Sequence, residues 1–145
     1  HAAFHAIHDP EAVLAGENID LGRISQPLYA VSAEDDHIAP WRQTFRINNF
    51  VAGSRRYVLS SSGHILGIVN PVVNPPKRDY RVGAAERHDT PDDWRERAEL
   101  HHGSWWEDWM AWLKPQSGKL IAAPAVATKK FPALGDAPGA YVLEP

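Results

Sequence analysis

Two short apolar runs set the terms for any fold of this chain. "QPLYAVSA" takes Leu28, Tyr29, Ala30 and Val31 from a proline into acidic residues, and "RRYVLS" repeats the pattern through Tyr57, Val58 and Leu59. Compact apolar runs of this length read as buried strands of the parallel type. Between them, Pro40 can open a helix at its first turn. "WRQTFRINNFVAG" follows, with Trp41, Phe45 and Phe50 as candidate buried positions and Gly53 as a candidate C-cap. Beyond the second run, "SSSG" breaks the strand, and "HILGIVN" reads as a short helix stopped by the prolines at 71, 75 and 76. This order of elements predicts an α/β fold with parallel strands.

Ligand sites on such sheets lie at the carboxyl ends of the strands. The "EDDH" and "SGH" loops both fall there. Asp36 can accept a hydrogen bond from an imidazole N–H, fixing its tautomer and stabilising an imidazolium formed during proton transfer. His64 follows 28 residues later, one helix and one strand on, at the same edge of the neighbouring strand. An acid followed by a histidine is the order of a hydrolase triad. The plain alternative is two loop residues that never meet.

The rest of the chain adds context. Lys77 to Thr90 is charged and reads as loop. Asp92 to Leu113 reads as helix, with Gly103 as a possible interruption and Trp105, Trp109 and Trp112 at helical spacing. Core packing is the expected use of these tryptophans, and a packed indole also needs a partner for its N–H. Residues 1–114 are expected to form the α/β portion and residues 115–145 a Pro/Ala/Gly-rich extended tail. His1, His5 and His8 beside Asp9 have helical spacing suited to a metal, though Pro10 limits such a helix. Arg55 and Arg56 read as a solvated strand entrance, with a phosphate contact as the other possibility.

Composition narrows the functions. A net charge of −3 gives no broad basic face, so nucleic acid is not an expected partner. No run is long enough for a transmembrane helix. The 145 residues include no cysteine, which excludes disulfides, cysteine-ligated zinc and a cysteine nucleophile within the chain. A start on His1, with no Met and no signal-like pattern, reads as a piece of something longer.

The flanks of Asp36 and His64 carry a specific likeness. "IDLGRISQPLYAVSAEDDHI", "YVLSSSGHILGIVNP", "ELHHGSWWEDWMAWL" and "APGAYV" together resemble the C-terminal part of the poly(3-hydroxyalkanoate) synthases, from about Ile19 to Val142. The resemblance implies the last strands and helices of an α/β-hydrolase fold, with a Trp-rich helix and an extended tail. It implies an acyltransferase that polymerises (R)-3-hydroxyacyl-CoA into polyester and releases CoA. Asp36 then matches the catalytic aspartate and His64 the catalytic histidine. The family's nucleophile is a cysteine in an upstream Gly-x-Cys-x-Gly elbow, which this chain lacks, and no Gly-x-Ser-x-Gly replaces it. The chain alone is therefore expected to be inactive, and its first strand to present an open edge. No cofactor is implied, since acyl-CoA is the substrate. The expected setting is cytoplasmic, at polyester granules, with the growing chain as a partner and a homodimer at full length. Two departures stand out: Asn70-Pro71-Val72 replaces the family's Asn-Pro-Pro, and the first eighteen residues fit poorly. The competing readings are a related esterase or depolymerase, and a non-catalytic module that binds a granule or partner.

Overall fold

The structure, a computed structural model, describes residues 13–144. The helical reading of the first residues and the set His1, His5, His8 and Asp9 lie outside them. One compact unit ends at Pro115, and a second begins at Gln116. Strands β1 (Val13–Leu14) and β2 (Glu17–Asn18) form a small antiparallel pair.

The main sheet has four strands in the order β3 (Leu28–Ala33), β4 (Arg55–Ser60), β5 (Asp79–Ala84) and β6 (Glu99–His102). Both apolar runs are strands, and they pair in parallel, Leu28 opposite Arg55 through Ala33 opposite Ser60. Helix α1 (Trp41–Thr44) and a 3-10 turn (Phe45–Asn49) form the crossover. Trp41 and Phe45 are buried as expected, whereas Phe50 is only half-buried. Gly53 answers to a different demand from the expected cap. A Cβ there would stand 2.0 Å from the Gln26 carbonyl oxygen, so the residue admits a close backbone approach beside β3.

The sheet beyond β4 departs from the sequence reading. The segment read as loop contains β5, antiparallel to β4, and the long helix divides into α3 (Pro91–Arg97), β6 and α4 (Trp105–Leu113). The sheet is thus mixed, not a run of parallel strands. Strand β5 hides among charges because only alternate residues, Tyr80 and Val82, point inward. At Ala98 the backbone turns extended, and β6 pairs with the open edge of β5, Glu99 opposite Val82. Those ladder bonds satisfy backbone groups that a continued helix would leave without partners.

Side chains on the two faces of the sheet build two cores. Trp41, Phe45, Tyr57, Leu59, Ala85, Trp94 and Ala98 form one, under α1 and α3. Val58, Tyr80, Val82 and Trp105 form the other, with Tyr29, Val31 and Trp109 against it. The alternation of Tyr57 and Val58, each fully buried, shows why β4 reads as continuously apolar: both of its faces are covered. Among the described residues of the second unit, Ala140–Leu143 form a 3-10 turn in a stretch rich in Pro, Ala and Gly.

Candidate functional site

Two loops meet at the carboxyl ends of β3 and β4. After Ala33 the chain makes a tight turn in which Asp36 Oδ1 accepts from the backbone N–H groups of Ile38, at 2.8 Å, and Ala39, at 2.9 Å. This is how an aspartate orders its own loop. It leaves Oδ2 pointing at the neighbouring strand's loop. The two loops are joined further by Glu34 N–H to Ser60 O at 2.8 Å and Asp35 N–H to Ser62 O at 3.1 Å.

On the β4 side, Ser62 takes a φ of +82°, a conformation that side chains rarely adopt. The turn it makes directs the next residues back toward β3. His64 Nδ1 then lies 2.7 Å from Asp36 Oδ2. An ionised carboxylate only accepts, so Nδ1 carries the proton and donates it. The Asp36 carboxyl is driven below its usual range, chiefly by the Ala39 N–H. His64 and Ile38 add to this, against the opposing effect of burial. The acid is sheltered, with 5% of its side chain exposed, while the imidazole is 47% exposed. Among the described residues Nε2 meets no partner, so it is open to a reacting group. Asp35 and His37, on either side of Asp36, are exposed.

Helix α2 (Leu66–Val69) follows His64 directly. It packs so closely on β3 that a Cβ on Gly67 would stand 2.5 Å from the Ala33 Cβ. Asn70 ends the helix with a φ of +24° and is 2% exposed. Its amide donates to Ser60 Oγ at 3.3 Å and to the Gly103 carbonyl at 3.4 Å. Three side-chain donors from the start of α4 reach the same segment. Trp105 Nε1 bonds Gly67 O at 3.2 Å, Trp106 Nε1 bonds Val69 O at 2.9 Å, and Ser104 Oγ bonds Asn70 O at 2.5 Å. The sequence reading anticipated indole partners but not these. The available signal was Ser-Trp-Trp itself, three side-chain donors in a row.

The other candidates are occupied elsewhere. Arg56 makes a two-pronged contact with Asp108, its Nε 2.8 Å from Oδ2, and Tyr29 donates to the same oxygen at 2.7 Å. Burial pushes the Asp108 carboxyl up, but Arg56 and then Tyr29 outweigh it and hold the group below its usual range. Arg55 donates to the carbonyls of Val51, Gly53 and Ala85. Both arginines of the strand entrance thus serve the fold. His102 hydrogen-bonds Asp79, and the His101 ring stacks on Tyr80 with 5.2 Å between centroids. Among the described residues no cluster suited to a metal ion occurs, and no helix is long and apolar enough to cross a membrane.

Fold and geometry together define an α/β protein whose parallel strands β3 and β4 present a carboxylate-oriented imidazole at their carboxyl ends. No family model matches the chain. Individual relatives do. It is 38% identical over 130 residues to the poly(3-hydroxyalkanoate) polymerase subunit PhaC of Cupriavidus necator, covering 89% of this chain and 22% of that protein. Poly(3-hydroxyalkanoate) polymerase 1 of Ectopseudomonas oleovorans is 39% identical over 137 residues, with 93% and 24% covered. The PhaC subunit of Rhizobium etli is 35% identical over 142 residues, with 97% and 22% covered. The chain belongs to the poly(3-hydroxyalkanoate) polymerase family and spans less than a quarter of the length of these relatives.

Proposed function

We propose that this chain is the C-terminal part of the catalytic domain of a polyester-forming acyltransferase of the α/β-hydrolase fold. In this reading Asp36 and His64 are two members of a Cys-Asp-His triad, and the cysteine comes from a segment outside the chain. The observation that carries it is the 2.7 Å contact from His64 Nδ1 to Asp36 Oδ2, made by an imidazole that is 47% exposed.

The chemistry follows from that orientation. Nε2 takes the thiol proton as the cysteine sulfur attacks the carbonyl of a (R)-3-hydroxyacyl-CoA thioester. Asp36 stabilises the imidazolium that results. The C–S bond to CoA breaks, the imidazolium returns its proton to the departing CoA thiolate, and an acyl-enzyme remains. The 3-hydroxyl of a second unit then attacks that acyl group. Its proton is taken up at the same pair, and the enzyme thiol is regenerated as the ester forms. Exclusion of water is required for this outcome, because hydrolysis of the acyl-enzyme would end the chain. The same reading places the protein at cytoplasmic polyester granules and makes the full-length form a homodimer.

The test has two arms. The 145-residue chain alone should release no CoA from 3-hydroxybutyryl-CoA above a His64→Ala control. In the full-length protein that contains this chain, His64→Gln should lower the rate of CoA release by about 10²- to 10⁴-fold, as loss of a general base does. Unchanged turnover in that variant would remove His64 from the mechanism. Ester hydrolysis without polymer formation in the parent would favour a related esterase.

A further inference from the structure

Helix α2 is a single turn, and a helix this short does not hold itself together in water. Every helix also leaves its last carbonyls without donors from within. In α2 these include Gly67, Val69 and Asn70. All three are taken by one tripeptide, through Trp105 Nε1, Trp106 Nε1 and Ser104 Oγ. Ser104 Oγ also accepts from the Trp106 N–H at 3.2 Å and so caps α4. One hydroxyl ends one helix and begins the next.

Trp105 is buried and needs a partner for its indole N–H, but burial does not explain the Trp106 contact. Trp106 is 40% exposed, so water could serve its indole N–H, yet that N–H is directed at Val69 O. On its other side α2 is tied to the histidine turn by Gly67 N–H to Gly63 O at 2.8 Å and Val69 N–H to Ile65 O at 2.9 Å. His64 lies between those two acceptors. A shift at the capped end of α2 is therefore transmitted to the imidazole through one turn of backbone.

We propose that Ser104, Trp105 and Trp106 are positioning residues for His64: together they cap the C-terminal end of α2 and hold the turn that brings the imidazole to Asp36. The proposal draws on the acyltransferase reading only for why His64 matters; the geometry and its test are independent of turnover.

The test reads the imidazole directly in the 145-residue chain. Histidine is labelled with ¹⁵N, and the His64 signals are assigned by their loss in His64→Gln. At a pH where the ring is neutral, ¹⁵N shifts distinguish the Nδ1–H tautomer held by Asp36 from the mixture found in free imidazole. Asp36→Ala, which leaves no side-chain group to hydrogen-bond the ring, supplies the reference for full release. Trp106→Phe keeps a ring and removes only the N–H. It should lose most of the Nδ1–H signature while the amide signals of β4 and β5 stay in place. Ser104→Ala should do the same, and Ser104→Thr, which retains the hydroxyl, should restore it. A parent-like tautomer in folded Trp106→Phe overturns the proposal, whatever the Ser104 variants show.

Discussion

Asp36 combines a structural duty with a chemical one, and its two oxygens divide them. Oδ1 orders its own loop through Ile38 and Ala39, and Oδ2 faces His64. These donors lower the carboxyl in the folded state, Ala39 most of all. A folded value below the unfolded one, near 4, stabilises the fold at higher pH. That contribution is lost as the pH falls through the folded value. Asp36→Asn lacks the titration. The difference in urea midpoint between parent and variant should therefore narrow between about pH 5 and pH 3. A difference that stays constant over that range would assign the stabilisation to packing and not to charge. The sequence marked Asp36 and His64 as residues at two strand ends. It did not show that Asp36 would spend one oxygen on its own backbone, because that depends on the path of the loop.

Elements matter here through close approach. Helix α2 lies near enough to β3 that Gly67 has no room for a side chain: a Cβ would meet Ala33 Cβ at 2.5 Å, Ser61 O at 3.1 Å and Ser62 O at 3.3 Å. Two of those neighbours are backbone oxygens, which cannot rotate aside. Gly67→Ala should cost about 1–3 kcal/mol, the usual range for overpacking, as measured by urea denaturation. It should also part His64 from Asp36, seen as loss of the Nδ1–H tautomer. A stable variant with that tautomer intact would show that α2 can move without the histidine. Helix α2 was legible from "HILGIVN" between a Ser/Gly run and prolines. Its need for α4 was not, because the capping side chains lie 34 or more residues away in sequence.

At the scale of the whole sheet, β4 is the centre. It pairs on both sides, in parallel with β3 and antiparallel with β5, and Tyr57 and Val58 are fully buried on opposite faces. Strand β6 is short and exposed along its length. Among the described residues no strand pairs with the outer edge of β3. Amide hydrogen exchange should accordingly be slowest in β4, intermediate in β5 and fastest in β6 and β3, since opening free energies follow burial and pairing. Protection in β6 equal to that in β4 would contradict this order.

What the sequence determined by itself was local. Continuous apolar runs define β3 and β4, their spacing makes them parallel neighbours, and the loops after them hold an acid and a histidine at one edge. Each of these follows from residue type and short-range order. The tertiary structure decided what depends on distant partners. Strand β5 exists although only alternate residues are buried, because β4 offers it a ladder. The helical pattern breaks at Ala98 because β5 has an edge to pair. Ser104, Trp105 and Trp106 cap a helix that precedes them by more than thirty residues. Hydrogen-bonding groups must be satisfied, but only the folded chain specifies by which partner.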